Sequence, residues 1–140
     1  MAVTSEATTL WQGNLTEGIG TTALASGVAE FPISWAARSG EDNGLTTPEE
    51  LLGAAHSACY SMALAHALTQ HGTPPERVQA TAAVTFQPGT GITGSHLLVS
   101  ATVPGVSEED FHRIAEETKV NCPVSKALGG IPITLEASLG

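Results

Sequence analysis

Basic residues, cysteines and long apolar runs are scarce in this sequence, and each scarcity excludes a class of protein. Lys and Arg together number 5 against 14 Asp and Glu, which gives a formal net charge of −9. A chain this acidic cannot release counterions by neutralising phosphates, so we expect no binding to nucleic acid or to anionic membrane surfaces. No stretch approaches the roughly 20 consecutive apolar residues that span a bilayer. Residues 1–6 have neither a basic region nor an apolar run, so we expect no signal peptide and a cytoplasmic location.

Only two cysteines are present, Cys59 and Cys122. In a reducing compartment structural disulfides are uncommon, and those that form are often catalytic or redox-sensing. The alternative is that both cysteines are small buried residues of the core, since free cysteine is among the most buried residue types. Neither the cysteines nor the 5 histidines have the paired spacing that is typical of a zinc site, so we expect no metal.

The order of the predicted elements indicates an α+β fold in one domain over residues 1–140. Predicted strands lie near residues 7–11, 20–25, 28–35, 78–86, 96–103 and 131–135. Predicted helices run over residues 51–70, from residue 107, and over 123–128. Turn formers predict a loop over 39–44 and a glycine-rich turn over 88–94.

The long helix is the clearest of these elements. Thr47 as the N-cap, Pro48 at the first helical position and Glu50 at the third form a capping box. The helix is apolar nearly all round, and Gly53 is its only glycine. A helix without a polar face is usually buried on every side, so we expect this one to form the spine of the core.

The two cysteines differ in their local surroundings. Cys122 precedes Pro123 at a predicted helix start, where unpaired N–H groups and the helix dipole favour a thiolate. Lys119 and Lys126 are also near it in sequence. Cys59 lies in the middle of the long helix among apolar residues, and burial there raises a thiol pKa. Local physics therefore favours Cys122 as the more acidic thiol, and Cys59 needs a cation from elsewhere in the fold.

Three further side chains are candidates for the same site. Arg38 lies where a predicted strand gives way to a loop, and a partly buried guanidinium can hold a carboxylate in a forked pair. Glu49 lies at the start of the helix that carries Cys59. His56 precedes Cys59 by three residues and shares its helix face, where it donates a proton or packs. From the residues alone, solvated charges for Arg38 and Glu49 and packing for His56 are the simpler interpretations.

Two segments around the cysteines carry a more specific signal. Residues 47–64 read TPEELLGAAHSACYSMAL, and residues 121–128 read NCPVSKAL. They resemble the signature helix and the second-cysteine motif of the family of osmotically inducible protein C (OsmC) and organic hydroperoxide resistance (Ohr) proteins. Residues 11–18, WQGNLTEG, are more similar to the OsmC branch. The chain departs from the common pattern at Thr47, where Asn is usual, and at Tyr60, where Phe is usual, and neither change removes a reacting group.

The resemblance implies a fold and a chemistry. The fold would be OsmC-like, with strands wrapped around a long buried central helix in an intertwined homodimer whose active sites draw on both chains. The activity would be that of a thiol-dependent peroxidase acting on organic hydroperoxides. Cys59 would attack the O–O bond and become a sulfenic acid, and Cys122 would condense with it to give a disulfide. This order reverses the one that local physics favours.

The resemblance also assigns supporting roles and partners. Arg38 and Glu49 would stabilise the Cys59 thiolate and orient the substrate. No metal, flavin or other cofactor would be needed, because such proteins are regenerated by a dithiol, notably a lipoylated protein. The alternative function is that of a redox-sensing protein, or one that binds a small apolar ligand without turnover.

Overall fold

The computed structural model describes residues 1–41 and 44–140 of the chain. Its elements follow in the order β1 (Ala7–Gln12), β2 (Ile19–Leu24), β3 (Glu30–Ile33), α1 (Trp35–Arg38), α2 (Pro48–Gln70), β4 (Arg77–Gln87), β5 (Gly91–Thr102), α3 (Glu108–Asn121), α4 (Pro123–Ala127) and β6 (Ile133–Leu139). The predicted α+β class is confirmed. The chain divides into two compact units, Met1–Pro48 and Glu49–Gly140, and the expectation of one domain stays a prediction. Within the described residues no helix is both long and apolar enough to cross a membrane.

The N-terminal unit is an antiparallel meander in the order β1-β2-β3, followed by the short helix α1. The third strand ends at Ile33 rather than at residue 35 because Ser34 caps α1, and its hydroxyl accepts from the Ala37 N–H at 3.1 Å. Of the predicted loop over 39–44, residues 42 and 43 lie outside the described residues. Among residues 1–41 and 44–48, Ala37 is the only hydrophobic side chain that is buried. This unit therefore has almost no apolar core of its own.

The C-terminal unit packs helices against the sheet β4-β5-β6. Strands β4 and β5 are antiparallel, whereas β6 lies parallel to β5 after the crossover through α3 and α4. The core cluster combines side chains from α2, from β5 and the residue after it, from α3 and from the residue before α4: Tyr60, Leu64, Leu68, Leu97, Val99, Ala101, Val103, Phe111, Ile114 and Cys122. The cysteine that precedes α4 is thus part of the core.

Helix α2 buries one face rather than every face in the single chain. Its buried positions repeat every three or four residues, at Glu49, Gly53, His56, Tyr60, Leu64 and Leu68. The opposite face is exposed although it is apolar, and it carries Ala54, Ala55, Ala58 and Met62. Met62 is 74% exposed. The apolar composition of α2 predicts burial on every side, and a single copy of the chain buries only one face of this helix.

Two further strands, β5 and β6, begin at other residues than predicted. Strand β5 begins at Gly91, within the predicted turn, because a bulge lets Phe86 pair with Ile92 and Thr85 with Gly94. The last strand begins at Ile133, since the Ile131 N–H is taken by the Leu128 carbonyl at 3.1 Å. Helix α3 begins after Ser107 as predicted, and that hydroxyl accepts from the Asp110 N–H at 3.1 Å.

Candidate active site

Cys59 lies on α2, with its thiol against the start of α4. The Cys122 thiol and the Val124 N–H are close neighbours of its sulfur. Burial raises the pKa of the Cys59 thiol, the Val124 N–H lowers it, and the nearby Cys122 thiol raises it further. Within the C-terminal unit the balance therefore keeps Cys59 protonated, as its apolar surroundings predict.

Cys122 occupies the N-cap position of α4, but its thiol makes no capping hydrogen bond there. Its N–H donates to the Thr118 carbonyl at 2.9 Å and its carbonyl accepts from the Lys126 N–H at 3.0 Å, so the backbone is held on both sides. The side chain is fully buried. Lys119, which is near in sequence, pairs with Glu116 at 3.1 Å. The surroundings of Cys122 are thus the core and Cys59, rather than the cations that its sequence neighbourhood suggests.

The structure brings the two cysteines together as a reduced pair. Both are free thiols, Cys59 is partly buried and Cys122 is fully buried. Neighbouring thiols can form a disulfide once their sulfurs approach to about 2.05 Å. The pair can therefore give up two electrons when it is oxidised to a disulfide.

Glu49 and Arg38 belong to different units of the chain. Glu49 lies in the first turn of α2 and is only 5% exposed, so its interpretation as a solvated carboxylate is wrong. It lies about 15 Å before Cys59 along the helix axis, from the rise of 1.5 Å per residue. Arg38 ends α1 in the N-terminal unit and is half-buried. There it lines a cleft with other side chains of that unit: Trp11, Leu15, Ile33, Ser34, Trp35 and Pro48. An approach of Arg38 to Cys59 stays a prediction.

His56 is fully buried one turn before Cys59 on α2. Its Nδ1 is 2.7 Å from the Ser95 Oγ on β5, and its Nε2 is 2.8 Å from the Ser125 Oγ on α4. Burial lowers the pKa of His56, so the ring is neutral and donates through one nitrogen while it accepts through the other. Since both nitrogens are bonded to serines, His56 has no nitrogen left to exchange a proton with Cys59.

The sequence gives only a weak signal for these two serines. Ser125 follows Cys122 by three residues, as Cys59 follows His56, so each serine or histidine lies about one turn from a cysteine. Ser95 has no such relation to either motif, because it is brought to His56 by strand β5. Only the tertiary fold makes the three side chains one group.

Tyr60 explains how the chain accommodates its departure from the usual Phe. The side chain is fully buried, and its hydroxyl donates to the Ala115 carbonyl of α3 at 2.9 Å. Burial raises the pKa of Tyr60, so the phenol stays neutral. Burying a hydroxyl that has a hydrogen-bond partner costs little free energy of folding. The same hydrogen bond links α2 to α3 next to Cys59.

Three of the other four histidines form separate pairs with carboxylates. His96 Nε2 lies 2.6 Å from Glu136, His112 Nε2 lies 3.2 Å from Glu108, and His71 Nε2 lies 3.4 Å from Asp110. Over residues 1–41 and 44–140, no group of three or more His, Cys, Asp or Glu side chains is arranged to hold a metal ion.

Known proteins are similar to this chain in sequence and in fold. The family described as OsmC-like protein matches residues 40–136. Peroxiredoxin OsmC of Escherichia coli (strain K12) is 38% identical over 133 residues, which cover 92% of each chain. The crystal structure of an organic hydroperoxide resistance protein from Elizabethkingia anophelis aligns with a TM-score of 0.74 and 26% identity over 100% of this chain and 99% of its own. A protein of the same description from Legionella pneumophila, at 20% identity over 100% and 98% of the two chains, shares the fold with a TM-score of 0.71.

Proposed function

The chain belongs to the OsmC-like protein family, and from this premise we propose that it is a thiol-dependent peroxidase that reduces organic hydroperoxides. The observation that carries the proposal is that two free thiols, Cys59 and Cys122, are neighbours. This chain is similar to peroxiredoxin OsmC, whose name describes a thiol peroxidase, and to an organic hydroperoxide resistance protein, whose name gives the class of peroxide. The fold, the family and the dithiol thus support one chemistry.

The reaction uses each cysteine once. The Cys59 thiolate attacks one peroxide oxygen, the O–O bond breaks, and the alkoxide leaves and takes up a proton to become an alcohol. Cys59 is then a sulfenic acid. The Cys122 sulfur displaces its hydroxyl group as water, and a Cys59–Cys122 disulfide forms. The hydroperoxide is reduced by two electrons and the two thiols are oxidised by two.

Exposure supports the order in which the cysteines react. Cys59 is partly exposed, whereas Cys122 has no exposed surface. A hydroperoxide that approaches from solvent therefore meets Cys59 first, and Cys122 is protected from direct oxidation. This order agrees with the one that the family resemblance implies and opposes the one that the helix dipole favours.

The thiolate at Cys59 needs a positive charge to offset burial. In the proposed site Arg38 supplies it, because a guanidinium near a thiol favours the ionised form. Glu49 holds that guanidinium in place, and its burial at the start of α2 supports such a role because buried carboxylates are seldom unpaired. The same guanidinium orients the peroxide.

Regeneration requires a dithiol, and we propose a lipoylated protein as its physiological source. A dithiol reduces the Cys59–Cys122 disulfide by two successive exchanges and itself becomes a disulfide. The chemistry needs no metal or flavin. A peroxidase with this cycle works where dithiols stay reduced, which fits a cytoplasmic location.

We further propose that the chain works as a homodimer. The exposed apolar face of α2, with Ala54, Ala55, Ala58 and Met62, is a surface that a second copy can cover. The N-terminal unit also lacks a core, and Leu10 on β1 is 64% exposed. A three-stranded sheet with so little cover is marginal alone and gains stability from a partner.

Dithiol-dependent turnover with an alkyl hydroperoxide, measured beside hydrogen peroxide, tests the proposed function. The wild type should consume the alkyl hydroperoxide at the higher rate. Cys59→Ser should consume none, because the attacking sulfur is gone. Cys122→Ser should oxidise once at Cys59 and form no intramolecular disulfide. Full turnover by Cys59→Ser contradicts the proposal, and oxidation of the wild type without turnover favours the redox sensor.

A further inference from the structure

Two side-chain contacts join α2 to α4 side by side. His56 and Cys59 are three residues apart on α2, and Cys122 and Ser125 are three residues apart at the start of α4. His56 Nε2 lies 2.8 Å from the Ser125 Oγ, and the Cys59 side chain lies near that of Cys122. The two pairs of side chains therefore lie next to each other between the same two segments, and a shift of α4 along α2 would separate both pairs.

We propose that His56 is a positioning residue for disulfide formation: its hydrogen bond to Ser125 holds α4 where the Cys122 sulfur reaches Cys59. This inference rests on the proposed function for its biological meaning, although the geometry that it concerns exists in the dithiol itself. His56 touches neither sulfur through a ring nitrogen, so it acts through Ser125 and not on the reacting atoms.

The ring is itself held in place from the opposite side. The Ser95 Oγ on β5 bonds to Nδ1 at 2.7 Å, and the backbone of Ser95 is fixed by its N–H donating to the Pro132 carbonyl at 3.1 Å. His56, Ser95 and Ser125 are all at most 4% exposed. Buried hydrogen bonds with no water to replace them hold a preferred geometry, because breaking one leaves a polar atom without a partner.

Helix α4 has need of such a contact. It is only five residues long, from Pro123 to Ala127, and Gly129 and Gly130 follow it closely. One helical turn has little stability of its own, since nucleation costs more than a single turn returns. This turn contains Val124, whose N–H lies near the Cys59 sulfur, and Cys122 directly precedes it. Contacts from α2 therefore decide where these groups lie.

The equilibrium of the dithiol with glutathione measures this positioning directly. Oxidised glutathione takes two electrons from Cys59 and Cys122, and the products are the intramolecular disulfide and two molecules of reduced glutathione. The equilibrium constant of this exchange is the effective concentration of one thiol at the other. It needs no peroxide, so it tests the inference even if the protein is not a peroxidase.

Ser125→Ala and Ser95→Ala are the matched pair of variants. Each removes one buried hydroxyl and leaves one His56 nitrogen without a partner, so their thermal unfolding temperatures should fall by similar amounts. Only Ser125→Ala severs the contact with α4. We expect the effective concentration to fall by about tenfold or more in Ser125→Ala and to stay within about twofold of the wild type in Ser95→Ala. Ser125→Thr, which restores a hydroxyl, should recover most of the loss.

A single-turnover experiment with an alkyl hydroperoxide separates the two steps. In Ser125→Ala we expect the sulfenic acid at Cys59 to form and then persist long enough to be trapped by dimedone, whereas in Ser95→Ala it should close to the disulfide as in the wild type. Equal effects of the two serine variants, or none from Ser125→Ala, overturn the inference. A wild type that hydroperoxide does not oxidise overturns the proposed function instead, and the glutathione equilibrium still decides the role of His56.

Discussion

At the residue scale, three influences set the pKa of the Cys59 thiol. Burial and the Cys122 thiol raise the pKa of Cys59, and the Val124 N–H lowers it. A thiol in this balance reacts slowly until a cation is added, which is the role we propose for Arg38. Sequence motifs identify the two cysteines and Glu49 as candidates. They do not show the burial of Glu49 or the contact of His56 with Ser95 and Ser125, because these depend on residues far apart in the chain.

The buried neutral ring of His56 makes stability depend on pH. Burial lowers its pKa in the folded protein, whereas a histidine in the unfolded chain takes up a proton below about pH 6.5. The unfolded state therefore binds more protons in that range, and the free energy of unfolding should fall as the pH drops below about 6.5. The contribution of one such group is at most about 1.4 kcal/mol per pH unit.

Chemical denaturation from pH 8 down to pH 5 measures this dependence. Replacement of the ring in His56→Gln should lower the free energy of unfolding at pH 8 and should reduce its slope below pH 6.5. Between pH 7.5 and 8, where the ring is neutral in both states, the two proteins should give parallel curves. An unchanged slope in His56→Gln refutes the assignment of a neutral buried ring.

At the scale of helices and strands, Gly53 brings the backbone of α2 close to that of β4. A Cβ at this position would lie 2.7 Å from the Ala82 carbonyl oxygen, which is closer than real Cβ atoms come to backbone. Glycine to alanine within a helix otherwise stabilises by about 1 kcal/mol. We expect Gly53→Ala to destabilise instead, by about 1–3 kcal/mol, because α2 has to move away from the sheet.

Urea denaturation of Gly53→Ala beside Ser57→Ala checks this expectation. Ser57 is on the same helix and half-buried, and its hydroxyl donates to the carbonyl of Ala54 at 3.3 Å. Its change to alanine should alter the free energy of unfolding by about 0.5 kcal/mol or less. A Gly53→Ala variant that is more stable than the wild type contradicts the close approach.

Local signals predict the elements where local chemistry decides them. The helix predicted from residue 107 begins there, because the Ser107 hydroxyl accepts from the Asp110 N–H. The boundaries of β3, β5 and β6 were missed, since a cap at Ser34, a bulge near Phe86 and a turn at Ile131 override strand propensity. These features depend on hydrogen bonds that propensity does not contain.

For the whole molecule, the proposed dimer depends on the exposed apolar face of α2. If a second copy covers it, a charge at its centre should separate the copies. We expect Met62→Glu to shift the protein from dimer to monomer by at least about 100-fold in dissociation constant, since a buried unpaired carboxylate costs several kcal/mol.

Sedimentation velocity over a range of concentrations measures the change. Leu98→Glu is the matched control, because Leu98 is 54% exposed on the sheet face that points away from the core residues Leu97 and Val99. It should leave the dimer intact. A wild type that is monomeric at every concentration, or equal dissociation of both variants, contradicts the proposed interface.

The central claim is that one hydroperoxide converts Cys59 and Cys122 into a disulfide within one chain. Intact-mass measurement of the reduced protein, treated with one equivalent of an alkyl hydroperoxide and then digested without reductant, tests it most directly. The account predicts a loss of about 2 Da, the mass of two hydrogen atoms, and a peptide that joins Cys59 to Cys122. An unchanged mass, or a stable gain of oxygen at Cys59 with Cys122 still free, would contradict it.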